Sequence, residues 1–187
     1  MFYNMVNNSA LEEENKQIQR RYKSNLRRAL RDRSLKIRGE ELLIQKMFAQ
    51  NVPKIDAAAL FWIGLALYWA EGAKTERWRA VFYNSDPSIN KAIMRFFREI
   101  CGISDEEVRI QLILHDNINT EDAISFWSKE LSLPIVNFFK PSYVVSRASK
   151  RKRPRNRLPY GTVQISVKGK SIANKIKGWL LGISRKF

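Results

Sequence analysis

An uncharged apolar run over residues 57–70 restricts the fold of this chain more than any other sequence feature. The run is 14 residues long, short of the roughly 20 that cross a bilayer as a helix, so we expect no membrane partner. Asp56 before the run is a helix-capping residue and Gly72 after it is a helix-ending residue, which predicts a helix over Ala57–Glu71. Because this helix is apolar almost all round, we expect most of its circumference to be buried.

Strand and helix patterns alternate along the rest of the chain. Alternating apolar and polar residues predict strands over residues 77–83, 108–114, 138–146 and 160–168. Apolar residues at helical spacing predict helices that begin at Pro87 after a capping Asp86, at Thr120, and after a capping Ser171. These patterns predict an α+β fold with an antiparallel or mixed sheet that helices cover on one side.

The N-terminal part differs from this pattern. Residues 10–50 predict a helix rich in Arg and Lys, with a break at Gly39. The helix either packs one stripe on the core or contacts phosphates as a basic arm, and the sequence leaves both alternatives open. We therefore divide the chain into a basic helical extension, residues 1–52, and a domain, residues 53–187.

The net charge of +16 is concentrated at the C-terminal end. The first 130 residues hold 20 basic and all 18 acidic residues, whereas residues 131–187 hold 14 basic residues and no Asp or Glu. A surface of one sign is stabilised by a polyanion, which favours nucleic acid as the partner. One cysteine, Cys101, and one histidine, His115, exclude a disulfide framework and a Cys/His zinc cluster, and they predict a cytoplasmic protein.

Polar side chains on the predicted strands are candidates for contacting DNA. On the last strand, Thr162, Gln164, Ser166 and Lys168 alternate with apolar residues, as expected of a strand with one open face. A β-ribbon fits the major groove, where such side chains reach base edges. The other candidates are two outward pairs and a basic loop: Arg77, Arg79, Arg109, Gln111, Arg147, Lys150, Arg151, Lys152, Arg153, Arg155 and Arg157. The alternative to a DNA-binding face is a sheet face that is merely solvated. His115 followed by Asp116 is more typical of a turn than of a catalytic pair.

The apolar helix also carries small residues and a terminal acid. Gly64 and Ala66 are expected near the face of Ala70, so that a second helix can approach closely. A carboxylate at Glu71 faces the negative end of the helix dipole, which costs about 0.3–1 kcal/mol. A bound Mg²⁺ would make a carboxylate favourable at this position. The alternative is that Glu71 is an exposed residue without a role.

The segment of residues 65–74, Leu-Ala-Leu-Tyr-Trp-Ala-Glu-Gly-Ala-Lys, resembles the LAGLIDADG motif of homing endonucleases. Ala66 and Ala70 match its small interface positions, Glu71 its acidic metal-binding position and Gly72 its closing glycine. Asn84-Ser85-Asp86-Pro87, which leads into a helix, is similar to the segment that these endonucleases place after their second strand. The motif segment resembles prokaryotic LAGLIDADG-like proteins more closely, together with two later segments in the same order, Phe126-Trp127 and Leu158-Pro159-Tyr160-Gly161-Thr162. The resemblance covers roughly residues 57–183, and the chain has no recognisable helix-turn-helix.

The resemblance implies a saddle-shaped sheet along double-stranded DNA and a homodimer that meets at the motif helices, through Gly64, Ala66 and Ala70. It also implies Mg²⁺-dependent hydrolysis of phosphodiester bonds, in which two copies of Glu71 hold the metal near the scissile phosphates. The catalytic candidates that accompany Glu71 are Lys74, Gln164 and Lys168. A non-catalytic DNA-binding transcriptional regulator and an RNA-binding relative of the splicing type are the alternatives.

Overall fold

The protein is described by a computed structural model, which covers residues 2–144 and 158–187, with side chains from residue 10 onward. The chain folds into two compact units, Met1–Lys54 and Ile55–Phe187. None of the helices within the described ranges is long and apolar enough to cross a membrane.

The first unit is formed by one helix, α1, Phe2–Gln50, of 49 residues. The predicted break at Gly39 is wrong, because α1 continues through it. A glycine inside an exposed helix costs only about 1 kcal/mol, and good helix formers such as Glu40 and Glu41 follow it. Every residue of α1 from Ala10 onward is exposed.

In residues 55–144 and 158–187, the second unit combines four α-helices with four strands. In chain order they are α2 Ala57–Glu71, β1 Arg79–Asn84, α3 Pro87–Arg95, β2 Val108–Leu114, α4 Thr120–Leu131, β3 Ser142–Tyr143, β4 Thr162–Lys168 and α5 Lys170–Ser184. The strands form a sheet in the order β1-β4-β2-β3. Strand β4 is antiparallel to both β1 and β2, whereas β3 is parallel to β2. The predicted α+β class with a mixed sheet is confirmed.

Several element ends follow from capping side chains. A carboxylate oxygen of Asp56 accepts a hydrogen bond from the amide of Ala59 at 2.7 Å, and Asp86 caps α3 in front of Pro87. The prediction that Ser171 caps α5 is wrong, because α5 begins at Lys170 and Gly169 takes the cap position. The chain passes from β4 into α5 over this single residue, which leaves Ser171 inside the first turn.

The third strand is much shorter than predicted. Residues 138–144 contain only the two-residue β3 and an isolated bridge between Phe138 and Ile110, and residues 145 and 146 lie outside the described residues. A 3₁₀ turn, Ile135–Asn137, precedes this bridge. Pro141 interrupts the ladder because proline has no amide hydrogen to donate.

The core lies between the inner face of the sheet and the four helices. Phe82, Ile110 and Ile165 on neighbouring strands are fully buried, together with residues of α2, α3, α4 and α5. Helix α2 contributes one side only, with Leu60, Gly64, Leu65 and Tyr68 buried. The expectation that most of α2 is buried is therefore wrong, since α2 packs on α3, its π-helical continuation and α5 from a single side.

Candidate functional site

The polar residues predicted to contact DNA meet on the outer face of the sheet. Seven of them share this face: Arg79 on β1, Arg109 and Gln111 on β2, and Thr162, Gln164, Ser166 and Lys168 on β4. Their common orientation follows from the register, because directly opposite residues point to the same side of a sheet. Arg79 lies opposite Lys168, and Gln111 lies opposite Gln164. We call these seven residues the polar sheet face.

Burial distinguishes the two faces of the central strand β4. Val163, Ile165 and Val167 have no exposed surface, so their side of the sheet is occupied by the core. Lys168 is exposed and Gln164 is half-buried, whereas Ser166 keeps only 9% of its surface exposed. The open side of the sheet is therefore the polar one.

Hydrogen bonds fix part of the polar sheet face. The side-chain amide of Gln164 donates to the Ser166 hydroxyl at 3.1 Å, and that of Gln111 donates to the carbonyl of Lys140 at 3.3 Å. The guanidinium of Arg109 donates to the Glu106 carbonyl at 2.5 Å. These bonds restrict the rotamers before any ligand arrives, while each amide and guanidinium retains further donors.

The charge of Arg79 is paired within the protein. Its guanidinium donates two hydrogen bonds of 3.1 Å to the two carboxylate oxygens of Glu76. These bonds hold the pKa of Glu76 below its usual value and raise the pKa of Arg79. Arg77 is exposed and lies two residues before β1, outside the strand.

The C-terminal end of α2 is attached to the edge strand β1. Gly72 bridges to Phe82, and the amide of Ala73 donates to the carbonyl of Val81 at 2.9 Å. The buried Tyr68 hydroxyl accepts from the Val81 amide at 3.2 Å and donates to the Ala73 carbonyl at 3.4 Å. Burial raises the pKa of Tyr68, so this hydroxyl stays neutral and keeps donating at physiological pH.

Gly72 is required by close packing. A Cβ at this position would collide with the Tyr68 carbonyl oxygen and lie 2.6 Å from the Tyr68 ring. Its φ of −77° is ordinary, so a left-handed conformation is not the reason for a glycine here. The sequence identified the correct end of α2, whereas the packing against Tyr68 became apparent only in the structure.

Glu71 and Lys74 lie on either side of this attachment. Glu71 is the exposed last residue of α2, and the Lys74 ammonium donates to the Ala70 carbonyl at 3.4 Å. The lysine therefore satisfies a carbonyl of the last turn and offsets the helix dipole beside the carboxylate. Phe82 on β1 pairs with Gly72 on one side and with Ile165 of β4 on the other. Glu71 therefore lies beside the edge strand β1. Its distance from the β4 backbone is about two strand spacings, or ~10 Å.

The structure therefore does not gather the four catalytic candidates into one cluster. Gln164 and Lys168 are four residues apart on β4, and Glu71 and Lys74 lie beyond β1. Nowhere in residues 2–144 and 158–187 do three or more His, Cys, Asp or Glu side chains gather as metal ligands. A Mg²⁺ ion takes one or two carboxylates, waters and substrate phosphate oxygens, so the lone Glu71 fits this ion only in combination with a phosphate or a second carboxylate.

The outer side of α2 forms an exposed apolar stripe, which we define as Trp62, Ile63, Ala66, Trp69 and Ala70. Trp62 has 57% of its surface exposed and Trp69 has 41%. Both small residues predicted for a helix contact, Ala66 and Ala70, lie on this stripe and are exposed. The α2 stripe contains no charge.

Gly64 does not share this stripe, and its predicted position there is wrong. Two residues correspond to about 200° around a helix, which places Gly64 nearly opposite Ala66. Gly64 is buried, and a Cβ on it would collide with the ring of Phe96. Its missing side chain serves contact within the domain, and it is not a residue of the proposed dimer interface.

Three segments that carry the family resemblance meet at one end of the sheet. They line a pocket of about 340 Å³ that involves Ser85, Asp86, Pro87, Phe126, Trp127, Leu158, Pro159, Tyr160 and Gly161. The rings of Phe126 and Tyr160 stack at 3.8 Å, and the Trp127 indole donates to the Tyr160 carbonyl at 2.8 Å. These contacts fasten the start of β4 to α4, which gives the segments a structural role.

Two further predictions concern the basic loop and the pair of His115 and Asp116. The basic loop residues Arg147, Lys150, Arg151, Lys152, Arg153, Arg155 and Arg157 lie outside the described residues. At the end of β2, Nδ1 of His115 lies 3.2 Å from the Val144 carbonyl oxygen. The amide of Ile118 donates to the His115 carbonyl at 3.1 Å around a turn at residues 116 and 117, which agrees with the interpretation of His115 and Asp116 as a turn.

Comparison of the chain with protein-family models, curated proteins and solved structures finds no match. The resemblance to the LAGLIDADG family therefore rests on residues 65–74 and the segments that follow them, and it stays a prediction.

Proposed function

We propose that this protein binds double-stranded DNA through the polar sheet face, as a homodimer of LAGLIDADG-like fold. The observation that carries the proposal is the alignment of Arg79, Arg109, Gln111, Gln164 and Lys168 across three neighbouring strands, with the core on the other side. Arginine and lysine recognise guanine in the major groove, and glutamine recognises adenine. The C-terminal charge adds affinity for phosphates of any sequence.

The α2 stripe is the surface that we assign to the second copy. Its tryptophans Trp62 and Trp69 offer large apolar area, while Ala66 and Ala70 allow two helices to approach closely. A twofold axis that runs along this stripe would bring together the C-terminal ends of both α2 helices, and with them both copies of Glu71. Such a dimer reads a roughly palindromic DNA site.

We further propose that the dimer hydrolyses phosphodiester bonds at Glu71. The two Glu71 carboxylates would hold Mg²⁺ together with phosphate oxygens, and a bound metal lowers the pKa of water and stabilises phosphoryl charge. Lys74, Gln164 and Lys168 would provide positive charge or hydrogen-bond donors to the phosphates and the transition state, with Gln164 and Lys168 acting from β4, about two strand spacings away. Lys74 is already held close to Glu71 by its bond to Ala70.

Selection and cleavage on one library test both parts of this proposal. Purified full-length protein is incubated with a randomised duplex library and Mg²⁺, and bound and cut molecules are sequenced separately. We expect enrichment of a roughly palindromic site and cuts within it. Glu71→Gln should abolish cutting and leave binding intact, while the matched control Glu106→Gln, also an exposed acid, should cut normally.

A binding-only regulator is the second candidate, because no group of three or more metal-ligating side chains forms among the described residues. Enrichment of a site without any cut across the library would support this candidate and contradict the nuclease. If structured RNA competes better than duplex DNA at equal salt concentration, the protein is an RNA-binding relative.

A further inference from the structure

Trp78 has no role in the core or in the α2 stripe. It directly precedes β1, and 67% of its surface is exposed. Ala80 and Phe82, which follow at alternate positions, have no exposed surface. Trp78 therefore continues the row of Ala80 and Phe82, but it lies beyond the edge of the core, which leaves its side chain uncovered.

The position of Trp78 is nevertheless fixed. Its carbonyl accepts a hydrogen bond of 2.9 Å from the amide of Gly169, which extends the β1–β4 ladder beyond the pair of Arg79 and Lys168. The ammonium of Lys170 lies 5.3 Å from the centre of the indole ring. An aromatic ring held in this way loses little conformational entropy when a flat ligand stacks on it.

Three basic residues lie close to Trp78 along the chain or across the β1–β4 ladder. Lys170 lies against the indole, whereas the exposed Arg77 and Lys168 occupy the alternate positions, which face the other side of the sheet at this edge. The Glu76 carboxylate accepts two hydrogen bonds from Arg79. It therefore offsets the charge of Arg79 and not the charges of Arg77, Lys168 and Lys170. An exposed indole on an anchored backbone, with one lysine at its ring and two more cations at the same edge of the sheet, has the composition of a stacking platform for an unpaired base and its phosphates.

We propose that Trp78, Arg77, Lys168 and Lys170 form a binding site for a single-stranded segment of nucleic acid. An unpaired base stacks on the open face of the indole, while Lys170 occupies the other face as a cation–π partner. The nucleic-acid strand then crosses the edge of the sheet at β1, so that its next phosphates contact Arg77 and Lys168 on the other side. This site extends the proposed duplex binding and requires neither a dimer nor a metal.

Fluorescence anisotropy of a labelled oligothymidylate of about 12 nucleotides tests the site in the full-length chain. Trp78→Leu keeps an apolar side chain but removes the aromatic face, so we expect the dissociation constant to rise about 5- to 150-fold. Trp78→Phe retains an aromatic face and should stay close to the wild type. A duplex of equal length is titrated in parallel, and its affinity should change less than twofold in either variant.

Two readouts separate stacking from a structural effect. Oligothymidylate should quench the tryptophan emission of the wild type, and Trp78→Phe should lose that quenching while it retains binding. Lys168→Gln should lower the slope of log affinity against log salt by about 0.7, the value for one phosphate contact on a single strand. The matched control Lys129→Gln, another exposed lysine, should leave the slope unchanged.

Equal affinities of Trp78→Leu and the wild type, or no binding of oligothymidylate at all, would overturn the single-strand site. Neither result affects duplex recognition, which is measured on the duplex. Conversely, Trp78-dependent binding of the single strand without any duplex binding would support this site and contradict the proposed function.

Discussion

Gly64 on α2 has a neighbour that leaves no room for a side chain. The ring of Phe96 occupies the place that a Cβ would take, and Phe96 is itself fully buried against Phe97 and Trp179. A buried ring surrounded in this way cannot move without disturbing other aromatic contacts. The glycine therefore sets the distance between α2 and the π-helical turn that follows α3.

Gly64→Ala should lower the free energy of unfolding by about 1–3 kcal/mol, because the added methyl group overpacks the core. Urea denaturation followed by tryptophan fluorescence measures this loss. Gly178→Ala is the matched control, since Gly178 is exposed on α5 with nothing within 4 Å of its added Cβ. It should stabilise the protein by about 0.4–1 kcal/mol, and an equal loss in both variants would contradict the packing argument.

At the scale of elements, local sequence patterns predicted the helices better than the short strand. The bounds of α2, β2 and α4 agree with the prediction, because caps and periodicity are properties of neighbouring residues. The length of β3 depends on its contact with β2 and on Pro141, and so lies beyond local patterns. The two faces of β4 followed from alternation alone.

Other features of the candidate site depend on contacts between distant residues. The outward side of α2 could not be deduced, because an all-apolar helix offers no polar stripe to orient it. The role of Tyr68 depends on Val81, thirteen residues away. The exposed Trp78 was missed as a site residue, although its position between Arg77 and Arg79 was a visible signal.

The α2 stripe should govern dimerisation. In Ala66→Arg, a guanidinium would be buried without a partner between two apolar helices, a cost of several kcal/mol. We therefore expect the dimer dissociation constant to rise by about 100-fold or more. Sedimentation equilibrium measures the change, and far-ultraviolet circular dichroism should stay at the wild-type level because Ala66 is exposed in the protomer.

Ser125→Arg is the matched control for this variant, because Ser125 is an exposed small residue on α4. It introduces the same charge away from the α2 stripe and should sediment like the wild type. If the wild type is monomeric at every concentration, with and without DNA, the assignment of α2 as a dimer surface fails.

At the scale of the whole molecule, Cys101 reports on the integrity of the second unit. It is the only cysteine of the chain, and it packs against the core cluster at the end of the α3 region. Burial raises the pKa of the Cys101 thiol to about 12. The thiolate is the reactive form, so the folded protein should react very slowly with a disulfide reagent.

The pH dependence follows from the sign of this shift. The folded state favours the neutral thiol of Cys101. This thiol therefore contributes its whole stabilisation below the ordinary thiol pKa of about 8.5, and the contribution is lost as the pH rises toward 12. Labelling at pH 8 should therefore be slow in native buffer, and its rate should rise with urea in parallel with the change in tryptophan fluorescence. All five tryptophans lie in the same unit as Cys101, so labelling in native buffer as fast as in the unfolded chain would contradict a single cooperative core.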